Sequence, residues 1–353
     1  MGIPLKKRVI ISIIVSIAII LALLWLANPT ELWVSITKTN INLILLVLVL
    51  YFINLLTKSY RWYLLVNSTG IKVPYLKILP YFLIGLALNN VTIGKLGGEP
   101  VRAYLLTKGA NVSVGQGIAS IFTEKILDIV VITTIAIIGV IFILPLLPYD
   151  AARNLIIILI IVVFLIISLL VIVSKSKLMN KTVDKTVSFA LKISKSDLTK
   201  RFTNALTGFT DKFKFGTREI LKAKKTTGAC IFLTVIIWIN EALRLFIILL
   251  ALPETEKASL GAVFIASSIA NILSLIIPLG AGNILGIETV LLAVGLDPAT
   301  AAAASILQVA TSLWISVPFG AVAMLAIGFK LSDSMKTNGN VKKYSSVTET
   351  DDK

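Results

Sequence analysis

Continuous apolar runs close to twenty residues long recur along the whole chain, and runs of that length read as membrane-spanning helices. The clearest lie at residues 9–27, 41–56, 118–144, 155–173, 229–252 and 303–329. Their apolar positions are consecutive, without the alternation of an outer-membrane strand, which excludes a transmembrane barrel. Two further stretches are apolar but broken. Residues 75–108 turn polar and glycine-rich at Asn89, Asn90, Gly94, Gly97 and Gly98 and resume past Pro100, and residues 259–296 break at PLGAGNILG, residues 278–286. Irregular backbone at membrane depth is tolerated where it is buried in protein or lines a cavity. Both stretches therefore read as re-entrant hairpins. The expected fold is an all-α polytopic membrane protein of about six full spans plus two such hairpins.

Charge sets the orientation, because Lys and Arg stay on the cytoplasmic side. Lys6, Lys7 and Arg8 precede the first run, and Trp25 stands where a signal peptidase needs a small residue, so that run reads as an uncleaved anchor. Lys58, Arg61, Lys72 and Lys77 follow the second run, and Lys330, Lys336, Lys342 and Lys343 follow the last. Residues 174–225 hold fourteen Lys/Arg against four Asp/Glu. These counts balance only if 75–108 enters and leaves from the inner face and 259–296 from the outer. The order is then span, span, hairpin, span, repeated upside down, and such inverted repeats point to a transport site near the midplane. Ala119-Ser120-Ile121 and Ala304-Ser305-Ile306 follow the two breaks at nearly equal distances.

The resulting plan is a transmembrane domain over 1–330, with 174–225 as a basic amphipathic cytoplasmic insertion and 331–353 as a disordered cytoplasmic tail. Leu198, Phe202, Leu206, Phe209 and Phe213 form the apolar stripe of that insertion, which suits a helix lying on an anionic leaflet. The chain is expected in the cell membrane as a multi-pass protein with both termini cytoplasmic.

Composition narrows the chemistry. The chain is 57% hydrophobic and 15% charged, against about 45–50% and 25% in soluble domains. It has no histidine and one cysteine, Cys230, which removes imidazole chemistry, disulfides and thiolate metal clusters. No phosphate-cradling GxxxxGK[ST] string occurs. No cofactor and no metal are expected. The net charge of +16 is read as topology, and nucleic acid is not an expected partner.

Charged residues inside spans are costly and invite a reason. Glu99 and Arg102, in GGEPVRAYLL (97–106), stand at i, i+3, where they can pair. Glu124 and Asp128, in TEKILD (123–128), share a face with Lys125 beside them. Asn240, Glu241 and Arg244 cluster in a later span, and Glu288 lies just past the second break. The plain alternative for each group is an internal ion pair that fixes packing. Glycine-rich backbone beside Glu99 and Arg102 favours function there, since helix N-termini at a break suit a phosphate. Arg102, Lys125 and Arg244 could add charge-assisted hydrogen bonds.

YRW (60–62), the asparagines before GGEPVRAYLL, ASIFTEKILD (119–128) and IIPLGAGNILGIE (276–288) together resemble the flippase-like integral membrane family that supplies the transmembrane domain of lysylphosphatidylglycerol synthases. The resemblance covers nearly all of residues 5–330. The family pattern falls on Asn89, Asn90, Gly98, Glu99, Arg102, Glu124, Lys125 and Asp128. The second break departs from it, with Pro278, Gly280, Gly282 and Gly286 before Glu288; Gln308 stands for an arginine and Lys125 for the commoner arginine. No soluble aminoacyl-transfer domain is evident after the last span.

The resemblance implies lipid handling and does not imply aminoacylation. The leading expectation is a lipid flippase or scramblase for an anionic phospholipid or a polyprenyl-phosphate-linked lipid, without enzymatic activity. Its substrate-binding residues would be Asn89, Asn90, Gly97, Gly98, Glu99, Arg102, Glu124, Lys125, Asp128, Arg244, Gly280, Gly282 and Glu288. Arg102 and Lys125 would hold the phosphate, and Glu99, Asp128 and Glu288 would orient the cations and take up protons from a gradient. Arg102→Ala is expected to stop transport in a folded protein. The alternatives are an intramembrane lipid-modifying enzyme and a non-transporting scaffold. Membrane lipids are the expected partners, and a homo-oligomer is left open.

Overall fold

The structure, a computed structural model, describes residues 29–92, 97–110, 112–143, 213, 215–253 and 259–327, with isolated helical positions between 153 and 164. The described elements are all helical. They are α1 (Pro29–Thr37), α2 (Ile41–Asn67), α3 (Tyr75–Val91), α4 (Gly98–Ala110), α5 (Val114–Ile143), α6 (Lys224–Ala251), α7 (Leu260–Ile276), α8 (Ala281–Ala293) and α9 (Pro298–Ala310). After a turn at 311–312 the last helix continues over 313–327. Among the described residues, four helices are long and apolar enough to cross a membrane: Ile41–Asn67, Val114–Phe142, Lys224–Ala251 and Pro298–Ile327. They answer to four of the six expected spans. The runs at 9–27 and most of 155–173 lie outside the described residues, as do the tail 331–353 and most of the insertion 174–225. Of that insertion's apolar stripe only Phe213 is described. It is buried, its ring 5.4 Å from that of Phe122.

Local chemistry sets the helix starts. Asn40 caps α2 by accepting from the Asn42 amide at 3.0 Å, and Ser259 caps α7 through Ala262 at 3.1 Å. Asp297 accepts from Ala299 and Thr300 at the head of α9, with Pro298 in the first turn. Each cap satisfies amides that the first turn leaves unpaired.

Both broken stretches fold as helical hairpins, α3 against α4 and α7 against α8. Small residues let their backbones approach closely. A Cβ on Gly286 would sit 2.6 Å from the Ala270 Cα, and one on Gly282 2.7 Å from the Ser274 amide nitrogen. Each hairpin has its own apolar core. Trp62 and Val66 of α2, Ile78 and Phe82 of α3, Leu106 of α4 and Ile121 of α5 form one. The other gathers Leu245 and Leu249 of α6, Val263 and Ala266 of α7, Leu291 of α8 and Ala301–Ala304 of α9. The outward faces remain apolar and exposed, as at Phe52, Ile141, Phe142, Phe232 and Leu325. That is the surface a bilayer covers.

One boundary corrects the sequence reading. The second span was expected to end at residue 56, with Lys58 and Arg61 in the loop beyond it. Instead α2 runs to Asn67 and carries both inside the helix, with Arg61 1% exposed. The helix continues because Arg61 meets carboxylates from α5, which removes the cost that hydropathy alone assigns to a charge. Those two cations therefore no longer count as loop charges.

Candidate functional site

The polar interior is built from α2 outward. Arg61 donates to Asp128 Oδ1 at 2.6 Å and Oδ2 at 3.1 Å, to Glu124 Oε1 at 3.2 Å and to the Thr234 hydroxyl at 2.8 Å. The other Glu124 oxygen takes Arg102 at 2.6 Å. The Arg102 guanidinium also lies 3.9 Å from the Trp62 ring centroid, within cation–π range. Three helices, α2, α4 and α5, are thus tied through one glutamate.

The expected Glu99–Arg102 pair does not form. Glu99 instead accepts from Lys125 at 2.9 Å and from Asn89 Nδ2 at 2.9 Å. Asn89 Oδ1 in turn accepts from the Gly98 amide at 2.8 Å. The i, i+3 spacing puts Glu99 and Arg102 within reach of each other, but α5 offers each a better-placed partner. Arg102 is 2% exposed and donates to Glu124 through one guanidinium nitrogen, while its buried Nε meets no partner. Arg102→Ala would strip Glu124 of one of its two guanidinium partners. Gly97 donates to Thr92 Oγ1 at 3.1 Å, so its amide is occupied too. Gly94 lies outside the described residues.

A second group lies across the bundle. Glu241 accepts from Arg244 at 3.3 Å and lies 3.6 Å from Lys58. Arg244 is fully buried, donates to the Thr311 carbonyl at 3.3 Å and stands 4.9 Å from the Tyr51 ring. Gln308, in place of the arginine the resemblance leads one to expect, donates to Glu241 Oε1 at 3.2 Å. Trp238 connects the two groups: its indole N–H donates to Asp128 at 2.9 Å, and Lys58 lies 5.7 Å from its ring.

Between the hairpins is a polar cavity of about 100 Å³, bordered by Lys58, Asn90, Asn271, Asn283, Glu241 and Ser312. The hairpin tips meet beside it, where the Leu279 amide donates to the Asn90 carbonyl at 3.2 Å. Asn90 Nδ2 also donates to Ser316 at 2.6 Å. Gly280 makes the tip turn in the left-handed region, at φ +85°, which glycine adopts without penalty. Gly282 packs on the α7 backbone at Leu273 and Ser274. Glu288 is 3% exposed and meets no partner among the described residues.

The structure thus joins Asn89, Glu99 and Lys125 in one group and Arg102, Glu124 and Asp128, through Arg61, in an adjoining one, sets Arg244 in the group across the bundle and Asn90 on the cavity, and keeps Glu288 apart. Sequence reasoning missed Lys58 and Arg61, taken as topology charges, and the asparagines Asn271 and Asn283. The available signal was their spacing: Lys58 and Arg61 stand at i, i+3 on the helix that also carries the buried Asn54.

The description "lysylphosphatidylglycerol synthase TM region" matches residues 11–320 of this chain. The chain belongs to that family. Within the lysylphosphatidylglycerol synthase transmembrane-region family it is similar to a UPF0104 membrane protein of Methanothermobacter thermautotrophicus, 26% identical over 94% of this chain and 99% of the relative. A UPF0104 membrane protein of Pyrococcus horikoshii is 25% identical over 91% of this chain and 97% of its own length. A third, from Methanocaldococcus jannaschii, is 26% identical over 93% and 97%. No solved structure matches the chain. Family membership and the apolar helices make it a membrane protein with several spans.

Proposed function

We propose that this chain moves an anionic lipid, a phospholipid or a polyprenyl-phosphate-linked one, between leaflets without changing it chemically. The observation that carries the reading is the cavity where the hairpin tips meet. Lys58 and Glu241 stand at its wall, and Glu241 is shared with the fully buried Arg244, leaving one positive charge in excess among these three groups. Asn90, Asn271 and Asn283 add amide donors at the same place. An excess cation with converging neutral donors in a partly dry site favours a monoanionic phosphate.

The cavity has room for about three waters, at ~30 Å³ each, and not for a lipid. A substrate would place only its phosphate there and leave its acyl chains in the bilayer. Arg61, Arg102, Glu124 and Asp128 then act as the frame that fixes α2, α4 and α5 around the site, with Lys58 as the substrate contact. The two hairpins entering from opposite faces as an inverted repeat would give the lipid the same site from either leaflet. We infer cytoplasmic termini for this arrangement.

The test is exchange of fluorescent phosphatidylglycerol in liposomes containing the purified chain, read by dithionite quenching of the outer leaflet. Lys58→Ala is expected to slow exchange about tenfold or more, a hydrogen bond to a charged group being worth roughly 1.5–3 kcal/mol. Lys58→Arg should retain most of it. Equal exchange by wild type and Lys58→Ala, or none by folded wild type with anionic phospholipids and polyprenyl phosphates alike, would overturn the reading.

A further inference from the structure

Of the buried charged side chains among the described residues, Arg61, Arg102, Glu124 and Arg244 all sit in ion pairs. Glu288 does not. It is 3% exposed, its Oε2 is enclosed without a hydrogen-bond partner, and no ion pair reaches it among the described residues. The helices packed on α8 are α7 and α9. Neither Leu260–Ile276 nor Pro298–Ala310 contains an acidic, basic, tyrosine or cysteine residue, and Glu288 is the sole titratable group of α8. Asp297, at the head of α9, is held by the Ala299 and Thr300 amides, and Glu241 and Arg244 of α6 bond to the last helix at Gln308 and Thr311.

An ionised carboxylate without a partner in such a place is heavily penalised, so the surroundings given by the described residues favour a carboxylate that carries a bound positive species. A metal cation needs several converging oxygens. Gly286 packs on Ala270 and Gly282 on Leu273 and Ser274, a register that brings Ser267 and Ser268 level with Glu288, and the Ser268 hydroxyl donates to the Phe264 carbonyl at 2.8 Å. The Ser267 hydroxyl is buried there and also unpaired, so it is not within hydrogen-bond distance of the carboxylate. No group of three or more acidic, histidine or cysteine side chains is assembled among the described residues, and the species that needs no such cage is a proton.

We propose that Glu288 is the proton-binding site that couples lipid movement to a proton gradient. The inference rests on the reading of the cavity as an anion site. Glu288 and the cavity residue Asn283 share α8, five residues apart, or about 7.5 Å along the axis at 1.5 Å per residue. With a phosphate monoanion beside Lys58, Arg244 and Glu241, the cavity is neutral and Glu288 stays protonated. When the phosphate leaves, the excess positive charge favours the carboxylate, and the proton departs to water. One proton is thus released per anionic headgroup lost, and one is taken back from water when the next headgroup binds. Intramembrane carboxylates of this kind mark proton paths in transporters generally. Glu99 and Asp128, the other carboxylates the sequence offered for proton uptake, are held by Lys125 and Arg61.

The closing experiment has two independent arms on the full chain. In the first, infrared difference spectra of wild type and Glu288→Gln are recorded across neutral pH with phosphatidylglycerol bound and again without it. A protonated carboxylic-acid C=O band that the variant lacks is expected in lipid-bound wild type and should weaken when the lipid is removed; its absence from wild type in both states overturns the proposal. In the second, liposomes carry fluorescent phosphatidylglycerol and either a pH gradient or a sodium gradient. The pH gradient alone should shift the steady-state leaflet distribution of the lipid in wild type, and Glu288→Gln should lose that shift. An equal shift in the variant, or a response to sodium instead, overturns it. If wild type moves no lipid, the cavity reading falls, and the infrared band alone decides the proton site.

Discussion

The two hairpins share a backbone plan and differ in what holds them. In the α3–α4 hairpin the chain is fastened by charge: Glu99 to Lys125, Arg102 to Glu124, and Asn89 to the Gly98 amide. In the α7–α8 hairpin it is fastened by contact: Gly282 and Gly286 against the α7 backbone, and the alanines of α9 alongside. The first therefore resists deformation through directional bonds, while the second depends on shape. A carboxylate at a comparable place past the break is neutralised in one and isolated in the other. Equal topology does not imply equal electrostatics: α5 meets the first hairpin with Glu124 and Lys125 and meets α7 at Gly139, beside Phe264 and Ile265.

The comparison can be broken at its strongest point first. Arg61→Ala leaves Glu124 with Arg102 alone and Asp128 without its guanidinium, and should destabilise the protein by about 3–5 kcal/mol, the usual cost of stripping a buried pair. Thermal unfolding in detergent would show it, and adding Glu124→Gln and Asp128→Asn should restore part of the loss. A neutral outcome would mean that the charge network does not hold the first hairpin. Next in size, Gly286→Val drives a side chain into the Ala270 backbone and should cost about 1–3 kcal/mol, with more rapid proteolysis near residue 280. The mildest pair is the sharpest. Glu99→Gln weakens a pair whose Lys125 side chain is 41% exposed, so the loss should stay under about 1 kcal/mol. Glu288→Gln has no partner to lose and should shift the melting temperature less than Glu99→Gln does. A large shift from Glu288→Gln would show that something holds that carboxylate after all.

Much of the fold was legible because hydropathy and glycine speak directly of spans and breaks. Four expected spans appear, and the helices break in pairs where Asn89–Gly98 and Pro278–Gly286 interrupt apolar runs. What was not legible is pairing across helices. Glu99 and Arg102 have an ideal spacing within α4, yet each pairs with α5, because local spacing cannot register a competitor brought in by tertiary packing. Arg61 misled for a related reason: a charge that ends a run on a hydropathy count continues a helix once carboxylates meet it. The asparagines of the cavity carry no charge and stand in apolar helices. Only the crossing of α7 and α8 beside α3 reveals that Asn90, Asn271 and Asn283 border one space.

The meeting of the hairpin tips has a consequence of its own. The link between Leu279 and Asn90 is made by main-chain atoms, so no side-chain change deletes it. Leu279 holds φ +60°, a region that costs a non-glycine residue about 1–2 kcal/mol. The hydrogen bond it makes is worth about 1 kcal/mol net. Gain and strain nearly cancel, so this hydrogen bond adds little net stability to the junction. Replacing the leucine by glycine would remove the strain, keep the bond, and make the contact a net gain.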